Sequence, residues 1–278
     1  MYQPPLAFRT ARRQRRRTRL AKRFMALAMP LLLGPLAVNV NPSQAGDGAK
    51  RLFPKFNQAS VRGADFENSM QTLYRQLDAA KAGLRYNVFR EAMVGYLNLR
   101  HAGELDQTRK VLTIVDFEQS STQKRLYVLD LAQRKMIFNT LVAHGQGSGE
   151  DLANRFSNVP DSHMSSLGFF VTGGTYQGCH GLSLYLNGQD EGYNSNAYAR
   201  SVVMHGASYV SEEFIRENGR LGRSHGCPAL PPELTEPIID TVKDGTCLFL
   251  YSPKERLESK FLDKQLAMET FFAAGRQI

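Results

Sequence analysis

The chain has 278 residues, 42% of them hydrophobic, enough for one or two folded domains with a substantial core. Its formal charge is +9, but nine of its 35 Lys and Arg lie in residues 1–45, which hold no acidic residue, so the other 26 are balanced by the 26 Asp and Glu. A body of zero net charge excludes an electrostatically driven nucleic-acid binder, and the basic block needs its own explanation.

That block runs from Arg9 to Arg23, and an apolar stretch follows from Phe24 to Val40, interrupted by Pro30, Gly34 and Pro35. A basic segment, an apolar run and a small-residue site, here Ser43-Gln44-Ala45, form the pattern of a secretory leader. Residues 1–45 are therefore read as a signal peptide cleaved after Ala45, or as an uncleaved anchor in the inner membrane. About 17 apolar residues is the short limit for spanning. Either way the body is expected outside the cytoplasm, in the periplasm or cell envelope.

Residues 46–109 read as a linker, Gly46 to about Arg62, and a helical hairpin. Phe66, Met70, Leu73 and Leu77 recur at helical spacing, as do Phe89, Met93, Tyr96 and Leu97, with Asn87 as expected N-cap and Gly103 as stop. From residue 110 the period changes to that of strands: Val111–Val115, Leu126–Leu131, Met136–Val142, Leu167–Thr172, Leu182–Leu186, Ser201–His205 and Thr246–Tyr251. One helix interrupts them, opened by Pro231-Pro232 and carrying Leu234, Ile238, Ile239 and Val242 on one side. Residues 110–252 thus read as a mainly β domain, sandwich or barrel-like, and 253–278 as a helical tail packed on its outside.

Two segments carry chemistry. Gly222-Arg223-Ser224-His225-Gly226-Cys227-Pro228-Ala229 holds a cysteine in a tight polar turn, and Val203-Met204-His205-Gly206 ends a strand on a histidine. A free thiol is only a few per cent thiolate at neutral pH, so a nucleophilic cysteine needs an imidazole to take its proton. His205 and His225 both qualify as that base. Gly226 leaves room for a substrate carbonyl, and the Gly226 and Cys227 N–H groups are natural oxyanion donors. Cys179 and Cys247 complete an odd count, which leaves at least one thiol unpaired in an oxidising compartment. Cys247 sits in an apolar strand, and a Cys179–Cys247 bridge stays open. Only His225 and Cys227 are closely spaced as metal ligands, so no metal or other cofactor is expected.

A His-Gly pair followed about 20 residues later by Ser-His-Gly-Cys resembles the signature of the murein L,D-transpeptidase catalytic domains of the YkuD type. Val142-Ala143-His144-Gly145, Ser165-Ser166-Leu167-Gly168-Phe169-Phe170, Thr175-Tyr176-Gln177-Gly178 and His180-Gly181-Leu182-Ser183-Leu184 extend the likeness over residues 110–252. The resemblance implies Cys227 as nucleophile, His205 as base, and Gly226, His225 and Ser224 shaping the oxyanion turn. The substrate would be peptidoglycan stem peptides, cut between the diamino acid and D-alanine through a thioester. An amine would resolve that thioester, from another stem or from an envelope lipoprotein; water would make the protein a carboxypeptidase, and loss of the reaction a silent wall-binding protein. Many relatives carry Arg or Asn two places after the cysteine, where this chain has Ala229, so Arg223, Tyr176 and His144 are the candidates for contacting substrate. Oligomeric state and acyl acceptor are not encoded in the motifs.

Overall fold

The strands alternate buried side chains to both faces of a single sheet, and that alternation explains the architecture. A computed structural model describes residues 58–275; the expected leader and residues 46–57 of the expected linker lie outside the described residues, while residues 58–62, expected as linker, already belong to the first helix. Two helices come first, α1 (Gln58–Gln76) and α2 (Tyr86–Ala102). Eight strands follow: β1 (Val111–Asp116), β2 (Leu126–Asp130), β3 (Lys135–Thr140), β4 (Gly168–Gly178), β5 (Gly181–Gly188), β6 (Val203–Gly206), β7 (Ala229–Leu230) and β8 (Cys247–Tyr251). Helices α3 (Glu212–Asn218), α4 (Pro232–Val242) and α5 (Lys264–Ala273) complete the set. The strands form one mixed sheet in the order β3-β2-β1-β8-β4-β5-β6-β7. The mainly β, barrel-like expectation holds, as a curled half-barrel with helices at both ends of the chain.

Period-2 alternation sorts the core into two layers. Leu112, Ile114, Tyr127, Leu129, Phe169, Cys247 and Phe249 face one cluster, shared with α1, α2 and α5. Val115, Leu126, Val128, Phe170, Leu248 and Leu250 face the other, shared with Ile238, Ile239 and Val242 of α4. Strands in the centre are thus buried on both sides, which is why they read as unbroken apolar runs. Helix α2 approaches closely because Gly95 has no side chain: a Cβ there would stand 2.0 Å from the Phe169 ring. Arg85, the residue before α2, forks onto the buried Asp116 carboxylate at the end of β1 at 2.7–3.0 Å.

Several expectations need correction. The N-cap of α2 is Arg85, not Asn87; Gly103 does end the helix, left-handed at φ 71°. Strand β4 runs six residues beyond Thr172, through a bulge at Thr172/Thr175, into a long hairpin with β5. Its Gly- and Thr-rich half has no apolar alternation to reveal it. Helix α3 and the two-residue β7 were not foreseen. The tail is helical only at Lys264–Ala273, with a 3₁₀ turn at Lys260–Leu262, because residues 253–259 run irregularly. Among the described residues no helix is long and apolar enough to cross a membrane.

Candidate active site

At β5 and β6 the two faces of the sheet diverge in character. Leu184, Leu186 and Met204 enter the core shared with α4. Ser183, Tyr185, Val203 and His205 therefore point to the opposite face, in the register Ser183↔His205 and Tyr185↔Val203. Strand β7 then lies parallel to β6 with His205 opposite Ala229. Continuing that register two residues back puts Cys227 level with Val203, and the Val203 N–H reaches Cys227 Sγ at 3.4 Å. Sγ also lies 3.7 Å from the Ser201 carbonyl oxygen. The sulfur is thus held beside β6, one diagonal from His205 in the continued register.

His205 is 2% exposed. Its Nδ1 lies 2.9 Å from the Gly206 carbonyl oxygen, which can only accept, so the proton is on Nδ1 and the Nε2 lone pair is free. Burial lowers its pKa, helped by the His180 ring stacked on it at 4.5 Å and opposed by the Gly206 bond. Burial raises the Cys227 pKa, opposed by the Val203 N–H and the Arg200 guanidinium. Both groups therefore rest in their neutral forms at neutral pH.

The turn before Cys227 is built from serines. Ser224 Oγ donates to the Cys227 carbonyl at 2.6 Å and accepts from the Gly226 N–H at 3.1 Å. That second bond corrects an expectation: the Gly226 N–H is already engaged, which leaves the Cys227 N–H as the candidate oxyanion donor of this turn. Gly226 has φ 124°, and a Cβ on it would stand 2.7 Å from the Met164 carbonyl oxygen, so only glycine fits. Ser165 Oγ donates to the Gly226 carbonyl at 3.1 Å and accepts from the Gly145 N–H at 3.0 Å. His225 is exposed and stacks on His163 at 4.1 Å, away from the Sγ contacts.

The remaining candidates divide. Tyr176 is half-buried and stacks on Tyr185, which leans on the exposed Tyr198, so it does border the open face. Arg223 is bound to the Gly149 carbonyl and the Glu150 carboxylate, so its charge is already partnered. His144 cannot touch substrate, contrary to expectation, because it is 0% exposed. Its Nδ1 meets the buried Arg125 guanidinium at 2.8 Å, and burial together with that cation lowers its pKa to about 3. Its carbonyl instead receives the Ser224 N–H at 3.0 Å, so it braces the turn. The open cysteine pairing is closed: all three thiols are free, with Cys179 exposed at the β4–β5 tip and Cys247 inside the core.

Sequence reading missed Arg200. Its guanidinium donates to the carbonyls of Ser157 and Met164 and to the hydroxyls of Ser162 and Ser166 at 2.6–3.2 Å, fixing the segment that lies over Gly226. A polar loop without periodicity gave no signal for it. Among the described residues no group of three or more His, Cys, Asp or Glu is arranged to hold a metal ion.

Comparison with known proteins decides the family: residues 80–251 match the L,D-transpeptidase catalytic domain. The chain is a member of the L,D-transpeptidase family. The match takes in α2, which the motif-based resemblance left outside. Solved structures similar to it include an L,D-transpeptidase from Mycobacterium smegmatis, 13% identical over 52% of this chain and 59% of that one, TM-score 0.32. The helical cell shape determining protein Pgp2 from Campylobacter jejuni is 14% identical over 64% and 60%, TM-score 0.38. An L,D-transpeptidase from Stackebrandtia nassauensis is 16% identical over 59% and 67%, TM-score 0.31. This L,D-transpeptidase family member therefore spans about three-fifths of the length of the first of these. No curated protein matches it.

Proposed function

We propose that the protein is an exported cysteine acyltransferase of the cell envelope, acting on peptidoglycan tetrapeptide stems. The observation that carries this reading is the register of β6 and β7, which sets the Cys227 sulfur against the Val203 amide on the strand that carries His205. The family supports the reaction class, and the basic leader supports export.

In this reading His205 Nε2 takes the thiol proton as Sγ attacks the carbonyl of the diamino acid. The Cys227 N–H faces the developing oxyanion. The imidazolium returns its proton to the amine of D-alanine, which leaves, and a thioester on Cys227 remains. An amine then resolves it to give a crosslink or an anchored lipoprotein; water would give the tripeptide. Neutral resting forms suit this order, because charge separates only when substrate is in place. Both the thiol and the base regenerate at the end of the cycle.

D-Alanine release from a tetrapeptide muropeptide tests the reading. Cys227→Ser is expected to lose it by about a thousandfold or more, and His205→Gln by about 10²–10⁴-fold. A Cys227→Ser protein of full activity would end the proposal. Product analysis with and without an amine separates transpeptidase from carboxypeptidase.

A further inference from the structure

Arg200, in the loop between β5 and β6, is half-buried and carries a charge that its own contacts do not cancel. Its two terminal nitrogens donate to the carbonyls of Ser157 and Met164 and to the hydroxyls of Ser162 and Ser166. All four acceptors are neutral, and among the described residues no Asp or Glu forms a salt bridge with it. Such bonds replace lost water but leave the positive charge in place. The guanidinium lies against the turn that carries Cys227: a Cβ on Gly226 would stand 3.4 Å from its Nη2. The chain then leads directly to the sulfur. Ser201, left-handed at φ 55°, presents its carbonyl to the Cys227 thiol, which donates to it at 3.7 Å. A left-handed serine is strained backbone, kept here beside the candidate nucleophile. Two residues on, the Val203 N–H meets Sγ. Burial lowers the Arg200 pKa, and Cys227 is the group that opposes this; Arg200 in turn opposes the upward push of burial on Cys227.

A cation locked by neutral acceptors needs no rearrangement when negative charge appears next to it. We propose that Arg200 is a positioning residue for the reaction, setting a fixed positive charge beside Cys227 that favours its sulfur as thiolate, both when it attacks and when it leaves. The inference rests on the acyl-enzyme reading above and adds to it the group that compensates the sulfur. In the first half-reaction the thiol proton goes to His205 Nε2, the electron pair stays on sulfur, and the C–Sγ bond forms. In the second, an amine or water adds to the thioester carbon and gives its proton to His205. The C–Sγ bond then breaks with its electron pair on sulfur, which recovers that proton. The other titratable groups around the sulfur are His205 of β6, Cys179 and His180 at the β4–β5 tip, Tyr209 after β6, and His225 in the turn itself. His205 rests neutral, and burial pushes Tyr209 up to about 12.

The test is the pH profile of Cys227 alkylation by iodoacetamide, an uncharged reagent, read by peptide mapping of the full chain. Arg200→Gln, and Arg200→Met, which keeps the apolar stem, are expected to move the midpoint up by about one pH unit, a loss of roughly tenfold in thiolate at neutral pH. Arg200→Lys breaks the planar fork but keeps the charge. It is expected to lower the urea midpoint as the neutral variants do, while its alkylation midpoint stays close to wild type. An unmoved midpoint in the neutral variants overturns the proposal. So does a midpoint raised equally in Arg200→Lys, which marks a clamp on residues 157–166 and nothing more. Alkylation needs no stem peptide, so a wild-type protein that never forms a thioester overturns the acyl-enzyme reading separately.

Discussion

The candidate pair Cys227 and His205 stands out in the sequence because acyl-transfer chemistry by a thiol demands an imidazole partner, and both sit in distinctive glycine turns. What surrounds them does not, because its residue types are ordinary. Arg125 is buried without a carboxylate in contact and gives its guanidinium to the Gln119 and Val142 carbonyls and to His144. Nothing local in Lys124-Arg125-Leu126 distinguishes that arginine from a surface one. Its partner carries a pH signature. The folded pKa of His144, about 3, lies below the ordinary value near 6.5, so the unfolded chain binds a proton that the folded chain refuses. Stability from this group is complete above pH 6.5 and is lost on acidification toward pH 3, at up to about 1.4 kcal/mol per unit. His205, also lowered, adds in the same direction. Urea midpoints should therefore fall between pH 7.5 and 5.5, and His144→Gln should lower the midpoint at pH 7.5 while flattening the slope. An unchanged slope in that variant would place the effect elsewhere. The raised Cys227 pKa predicts slow alkylation by iodoacetamide at neutral pH, speeding up only above the pH of an ordinary thiol. Arg200→Gln should slow it further by removing a cation that favours thiolate.

Elements were readable where packing imposed a period. Strands β1, β2 and β8 alternate between two cores, and helices α1 and α4 each carry one apolar stripe, so spacing alone located them. Where the chain faces outward the period disappears. The distal part of β4, Gly174-Thr175-Tyr176-Gln177-Gly178, has little to bury, and pairing with β5 holds it extended. The hairpin tip nevertheless reaches the candidate site, since it lays His180 on the His205 ring. Gly95 shows the opposite case, a residue that looks like a helix weakness and is a packing necessity. Gly95→Ala should cost about 1–3 kcal/mol despite its better helix propensity, because the methyl overlaps the Phe169 ring. Chemical denaturation would show it, and a stabilised variant would contradict it.

Over the whole molecule, the α1–α2–α5 layer and the candidate site occupy different stretches of one sheet face. The α1–α2–α5 layer covers that face at β1 and β8, and the candidate base His205 stands on it at β6, past its cover. Helix α5 belongs to this layer through Phe271, edge-on to Phe66 at 5.4 Å, and the 3₁₀ turn through Asn98, whose amide donates to the Phe261 and Asp263 carbonyls at 2.7–2.8 Å. Asn98→Leu should therefore lower thermal stability while sparing Cys227 reactivity, because the layer it ties down stands apart from β6. The tail's fold was only half legible: its apolar residues mark burial, but the 3₁₀ turn and irregular lead-in carry no period.

The proposed reaction passes through a covalent bond to one sulfur. Intact-mass spectrometry of the full chain with a tetrapeptide stem, followed by peptide mapping, measures it directly. The predicted result is a mass gain equal to the tripeptide acyl group, on Cys227 alone, that disappears when an amine is added. A stem turned over with no adduct on Cys227 under any quench, or with the adduct on Cys179, would contradict the account.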